Sequence, residues 1–370
     1  MVVRFSKRRV SILLIIIGLV FSIERLSANE PEKDVQQSAE SGHAKKTFKP
    51  GELIIEHISD AYSWHVITFK DKVVAVPLPV ILYSKQSGFH LFSSSRFEHG
   101  HASYEGFEIS EEGAYKGKVV EKLADGSIVR PIDISITKNV LSLLISVALL
   151  LWIFLSIAKR YRQHPDKAPK GLQSALEPII LFIRDDIAIP SIGKHKYEKY
   201  MPYLLSIFFF IWINNMMGLI PIFPGGANVT GNIAITMVLA LFTFVITTIN
   251  GTKTYWMHIV NAPGVPWWLK IPVPLMPFIE IMGVFIKPFV LMVRLFANIL
   301  AGHINLLGFI CLIFVFGNIN MAVGYGFSVL SVAFAIFLYF LELLVAFIQA
   351  YVFTLLSALY FGMATEEAHH

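Results

Sequence analysis

Apolar and polar positions change rhythm several times along this chain. Residues 1–28 open with basic side chains (Arg4, Lys7, Arg8, Arg9) and continue into an apolar run over 10–23, closing on Ser27 and Ala28. The run is about 14 residues, short of the roughly 20 that span a bilayer, and its flanks are those of a secretory signal peptide cut near Ala28. Leu26, at the third position before that cut, is bulkier than such sites prefer. Residues 29–49 are polar and charged with few large apolar side chains, the composition of a disordered lead-in. Over 50–136 the pattern turns to short alternating runs, such as His65-Val66-Ile67-Thr68-Phe69, broken by Lys70-Asp71-Lys72, Ser87-Gly88 and Asp125-Gly126. That rhythm predicts a small, largely β domain.

From 137 to 370 the chain reads as a membrane domain, with five apolar blocks at about 139–158, 201–220, 232–249, 276–316 and 321–361. Residues 171–189 mix Leu172, Leu176, Ile179, Ile180 and Ile183 with Glu177, Arg184, Asp185 and Asp186. They predict an amphipathic interfacial helix, with an ordinary loop helix as the alternative. Each of the last two blocks would run roughly 60 Å as a helix, twice a hydrocarbon core of about 30 Å. Only Gly317-Asn-Ile-Asn320 separates them. Such helices must tilt steeply, bend, or break at a glycine such as Gly302 or Gly308; a strongly tilted antiparallel pair is expected. The fold class is therefore mainly α, a polytopic membrane protein carrying a small β-rich N-terminal domain.

Lysine and arginine counts in the short loops orient the spans. The loop holding Lys159, Arg160, Arg162, Lys167 and Lys170 is strongly basic and predicts the cytoplasmic side. The segment 221–231 has no basic residue and belongs outside; 251–274 carries Lys253 and Lys270 and belongs inside. The N-terminal domain is then exported, in agreement with the signal peptide, and the C-terminus is cytoplasmic.

Composition supports this class. Of 370 residues 55% are hydrophobic and 15% charged, and the mean hydropathy is +0.61, too apolar for a single water-soluble domain. The net charge of +5 sits mainly beside apolar runs, so it reads as topology and not as a nucleic-acid surface. The one cysteine, Cys311, lies in an apolar block and excludes a disulfide framework or thiolate metal site. Six of the twelve histidines fall in the N-terminal region, including His99-Gly-His101. Lacking cysteines or a helical spacing, they read as surface histidines, and no metal or other cofactor is expected.

The chemistry sits in the last two blocks, which hold Glu280, Lys287, Arg294, Asn298, His303, Glu342 and Gln349. Ionisable groups at such depth cost several kcal/mol unless paired or hydrated. At about 100° per residue, Glu280, Lys287, Arg294 and Asn298 share a stripe about 40° wide. His303 is about 180° round from Arg294 and must face another neighbour. Glu342 and Gln349 share a face, and Ala297 and Ala301 allow another helix to come close to the arginine turn. Arginine stays protonated, so Arg294 acts only as a fixed cation, able to make a passing carboxylate release its proton and to block a straight cation leak. Other readings stay open: Arg294 as an ion-pair partner of Glu280 or Glu342, Lys287 as a snorkelling interfacial lysine, Asn298 and Gln349 as interhelical glue, His303 and Glu342 as a structural pair. A stand-alone channel or secondary transporter would show an internal repeat, and a membrane hydrolase a nucleophile-base constellation; the sequence displays neither.

The run Phe285-Ile-Lys-Pro-Phe-Val-Leu-Met-Val-Arg294-Leu-Phe-Ala-Asn298-Ile-Leu-Ala-Gly302-His303 resembles the a subunit of F-type ATP synthases. So do Asn215-Met-Met-Gly-Leu-Ile-Pro221, Asn228-Val-Thr230 and the stretch from Leu341-Glu342 through Gln349 to Phe353. The resemblance implies that Arg294 is the stator arginine facing a ring of c subunits, supported by Asn298 and Gln349, with Asn215 and Lys287 as further support. It implies that Glu280, His303 and Glu342 line aqueous half-channels, with protons entering from the periplasm through one polar half-channel near all three. It further implies a bacterial inner-membrane location, with the c-subunit ring, a peripheral-stalk b subunit and lipid as partners, and no catalysis by the chain alone. Two features depart from the family pattern. His303 and Glu342 stand where some bacterial members have Glu and His, and Gly218 stands where many carry an acid. The long N-terminal region resembles the form found in Bacteroidetes-type bacteria.

Overall fold

The structure is a computed structural model that describes residues 50–69, 72–100, 102–110, 113–123, 126–163, 169–220, 225–260 and 275–366. The signal peptide, the lead-in, and parts of the 159–170 and 251–274 loops expected from sequence lie outside the described residues.

The N-terminal module opens with a helix, α1 (Pro50–Ile58), where sequence rhythm suggested β structure. Ile54, Ile55 and Ile58 recur at helical as well as strand spacing, and Pro50 suits a helix's first turn. Three small antiparallel sheets follow. Strands β1 (Ser63–Phe69) and β2 (Lys72–Pro77) pair alone; β3 (Pro79–Ser84) lies between β4 (Gly88–Ser93) and β8 (Ile132–Asp133); β6 (Val119–Lys122) lies between β5 (Phe107–Ile109) and β7 (Ile128–Val129). Strand alternation drives Val80 and Leu82 inward onto Phe97, Phe107, Val119 and Tyr62. Glu121 is buried in this module and accepts hydrogen bonds from Ser84 Oγ and from Ser87 Oγ at 2.8 Å, which offsets its desolvation.

The module is joined firmly to the first long helix, α2 (Lys138–Gln163). Asp60 Oδ1 accepts from the Asn139 backbone N–H at 3.0 Å, and Ala61 O accepts from the Lys138 N–H at 2.9 Å, satisfying donors that a helix start leaves unpaired. Trp64 of β1 is buried against Ala227 and Val229, in the loop after the second span.

In α2 the usual polarity of a soluble helix is inverted. Asn139, Ser142 and Ser146 are buried, while Leu144, Leu151, Trp152 and Leu155 are exposed, as lipid demands. The segment expected as an interfacial helix forms α3 (Leu172–Phe182), a π-helical stretch (Ile183–Ala188) and α4 (Ile189–Ile192). It does more than rest on a surface, because Ile183 and Ile187 are fully buried in the main core with Leu204, Phe208, Phe353 and Phe361. Ile183 and Ile187, four residues apart, share the inward face, while the neighbouring Arg184 and Asp185 pair outside at 2.8 Å. Next come α5 (Tyr197–Leu219), α6 (Ile233–Ile249) and α7 (Lys253–Val260), which turns 107° away from α6.

The last helices, α8 (Leu275–Ile319) and α9 (Met321–Thr365), have 45 residues each. At 1.5 Å per residue each is about 67 Å long, and α8 runs unbroken through Pro288, Gly302 and Gly308. Asn320 alone joins them, and its side chain caps α9 by accepting from Ala322 N–H at 2.9 Å. Their pairing is antiparallel throughout: Phe316 stacks on Phe327 at 3.9 Å, Phe309 on Phe334 at 5.3 Å, and Lys287 Nζ lies 5.7 Å from the Tyr360 ring centre. Helix α5 packs between this hairpin and α2, and α6 packs on α8. Among the described residues four helices are long and apolar enough to cross a membrane, five if the bent α6–α7 pair counts as one span.

Candidate functional site

Helix α8 places its polar residues in three zones along its length. Nearest the β module is a cavity of about 330 Å³ between α5, α8 and α9, lined by Asn215, Asn298, His303, Asn305, Glu342 and Gln349 among apolar side chains. Asn215 anchors it: its Oδ1 accepts from Thr230 Oγ1 at 2.5 Å and its Nδ2 donates to Ala346 O at 3.3 Å, tying α5 to α9. Tyr339 donates to Leu219 O at 2.7 Å and closes the same seam.

Glycines admit the two titratable groups. A Cβ on Gly302 would stand 2.7 Å from Glu342 Oε1, and a Cβ on Gly218 would stand 3.7 Å from His303 Nε2. His303 therefore turns toward α5, the different neighbour its helical phase requires. The position at which the family pattern places an acid, Gly218, is where the imidazole comes to rest. Both Glu342 oxygens are buried with no hydrogen-bond partner among the described residues, an arrangement that water or a proton must relieve.

The second zone is Arg294, about 14 Å along α8 from His303. Its neighbours Leu291 and Leu295 are buried against the core, whereas Arg294, Ala297, Asn298 and Ala301 are exposed. Among the described residues no acid forms an ion pair or hydrogen bond with Arg294, neither Glu280 nor Glu342. The guanidinium lies within electrostatic range of Tyr360. The α8–α9 register sets Gln349 level with it.

The third zone lies beyond Arg294, at the end remote from the β module. Lys287 sits over Tyr360 and beside the hydroxyls of Thr243, Thr247, Thr248 and Tyr255, and Glu280 is within electrostatic range of Tyr255. Glu280 is thus some 35 Å of helix away from His303 and does not share its cavity, contrary to a grouping of Glu280 with His303 and Glu342 in one inlet. Sequence reasoning also passed over Asn305 and Tyr360. Asn305 stands seven residues after Asn298, and Tyr360 continues the Glu342–Gln349 stripe within about 20°, so the spacing was available. Among the described residues no three ligating side chains gather around a metal position.

Residues 140–362 match the family model for the ATP synthase A chain. The chain belongs to that family. Relatives include ATP synthase subunit a of Chlorobium phaeobacteroides, 43% identical over 66% of this chain and 69% of the relative. Subunit a 2 of Chlorobaculum tepidum is 46% identical over 63% and 64%, and subunit a of Myxococcus xanthus 42% over 69% and 79%. A second model, for a domain of unknown function (DUF8433), matches residues 53–136, the β module. As a member of the ATP synthase A chain family, the protein is a membrane-embedded, proton-translocating component of the synthase membrane sector and no catalyst on its own.

Proposed function

We propose that the chain is the stator against which a ring of c subunits turns, with Arg294 as the fixed cation that each ring carboxylate meets. The observation that carries this reading is the exposed face of Arg294, Ala297, Asn298 and Ala301, where a charged guanidinium stands without an internal acid among the described residues. A cation held in a medium of low dielectric stabilises an ionised carboxylate and so lowers its hold on a proton. A neutral carboxyl passes through lipid at modest cost, whereas an ionised one does not. Rotation is therefore permitted only after protonation, and release is enforced at Arg294.

The zones either side of Arg294 supply two offset proton paths. The Asn215, His303, Glu342 cavity serves the exported side, where the β module sits, and the Glu280, Lys287, Tyr255, Tyr360 zone serves the cytoplasmic side. Asn298 and Gln349 hold the ends of these paths beside the arginine. The chain sits in a bacterial inner membrane with the c ring and a peripheral-stalk b subunit as partners, the N-terminal module periplasmic and the C-terminus cytoplasmic. The test is Arg294→Ala in the intact synthase within inverted vesicles. ATP synthesis driven by a proton gradient is lost while ATP hydrolysis by the soluble sector persists; normal synthesis would refute the role.

A further inference from the structure

The three-stranded sheet of β4, β3 and β8 buries one face and bares the other. Val80 and Leu82 point into the core of the module, so strand alternation sends Tyr83 outward, together with Phe89 and Leu91 of β4 and with Ile132 and Ile134 on the β8 side. Register makes these side chains one patch. Tyr83 pairs with both Phe89 and Ile132, while Ile81 pairs with Leu91 and its carbonyl accepts from the Ile134 N–H at 2.9 Å. Phe89 is 66% exposed, Leu91 63% and Ile134 58%, and Tyr83 and Ile132 are exposed as well. A contiguous apolar face of this kind marks an interaction surface. Lys85 and Arg130, both exposed, stand two residues from Tyr83 and Ile132 and give its rim positive charge.

We infer that this face lies on the phospholipid leaflet from which α2 enters the membrane, its side chains seated at the boundary of headgroups and acyl chains. Continuity favours lipid over a protein partner. The chain passes from Ile134 into α2 within four residues, and Val140 and Leu144 on the first turns of α2 carry the exposed apolar surface onward along the span. Ile132 is six residues before Lys138, which keeps it within about 20 Å of the helix start even along a fully extended strand. The bond from the Asn139 N–H to Asp60 Oδ1, and Trp64 buried against Ala227 and Val229 in the loop between spans, hold the module close to that leaflet. Tyr83 suits the boundary, with an apolar ring and a polar hydroxyl, and the rim cations Lys85 and Arg130 complement headgroup phosphates. The inference needs α2 to cross the membrane and does not rest on the proposed stator role.

The test uses intact synthase in nanodiscs of phosphatidylcholine and phosphatidylglycerol, with Cys311→Ser removing the native thiol and a fluorophore attached through Phe89→Cys, Leu91→Cys or Lys116→Cys. Lys116 is exposed in the turn before β6, across the core of the module from the apolar face, and serves as the reference. Retained ATP hydrolysis by each labelled complex shows that it is assembled. A nitroxide on the lipid near the headgroup quenches the probes at residues 89 and 91 several-fold more than the probe at 116, whereas aqueous iodide quenches them several-fold less. Lipid quenching at 89 and 91 no stronger than at 116 overturns the inference. Free access of iodide to both positions then leaves the face in water, and protection from iodide assigns it to a protein partner instead.

Discussion

Glu342 of α9 rests against Gly302 of α8 so closely that a single methyl group at residue 302 would stand 2.7 Å from its Oε1. The contact holds a carboxylate between two long helices, in the cavity that also receives His303. Gly302→Ala pushes the carboxylate aside, and ATP synthesis is expected to fall about tenfold, in line with small displacements of a working group. A methyl group on Gly308, further along the same helix, would meet nothing within 4 Å. Gly308→Ala is therefore expected to leave synthesis unchanged, and the two vesicle assays together separate a local clash from general helix stiffening.

His303 and Glu342 line one cavity from different helices, so their roles depend on the pair more than on which helix carries which group. Glu342→Gln and His303→Gln are each expected to lower proton-driven synthesis by an order of magnitude or more, the scale of a lost proton-transfer group. The exchanged double variant, His303→Glu with Glu342→His, is expected to recover much of that loss. A double variant no better than either single one would show that the positions act separately.

Tyr62 in the β module donates to Asp133. Burial, and then the Asp133 charge, push its hydroxyl well above the usual range. Since the folded-state value is the higher one, the stabilisation is complete below the unfolded tyrosine value of about 10 and is lost as pH rises beyond it. The melting temperature of the purified chain is therefore expected to stay roughly flat between about pH 7 and 9 and to fall above about pH 10. Tyr62→Phe is expected to cost about 1–3 kcal/mol at neutral pH, from the hydrogen bond lost to a part-buried carboxylate. It should reduce the alkaline fall, and an equal fall in the variant would count against the assignment.

At the other end of the molecule Gly362 lets α9 touch α4, because a Cβ there would lie 1.9 Å from Ser191 O. Gly362→Ala forces backbone apart and is expected to cost about 1–3 kcal/mol, seen as a lower melting temperature and lower yield. Gly326→Ala, with open space around it, is expected to be neutral in the same measurement.

The long hairpin and its polar stripe were readable from sequence because ionisable residues are rare in apolar helices and their angular spacing is fixed by helix geometry. Arg294 with Ala297 and Asn298 could be placed on one face, and His303 on another, from position numbers alone. Periodicity does not say how far along the hairpin each group meets a neighbour. Glu280 was therefore grouped with His303 although some 35 Å of helix separates them. The cavity itself depends on tertiary packing of α5, which brings Gly218 to His303 and Asn215 to Ala346. Helix α1 escaped because nine residues carry too few turns for a period to be distinguished. The burial of Ile183 and Ile187 depends on tertiary packing against Leu204, Phe208 and Phe361, which an amphipathic pattern alone does not distinguish from a face resting on a surface.

The most direct measurement is disulfide crosslinking in the intact synthase after Cys311→Ser removes the native thiol. A cysteine at Ala297, on the exposed face beside Arg294, is expected to form a disulfide with a cysteine placed one turn from the c-subunit carboxylate. A cysteine at Leu295, which is buried in the core, is expected to form none. Crosslinking from Leu295 but not Ala297, or from neither in an assembled and active complex, would contradict the claim that Arg294 faces the ring.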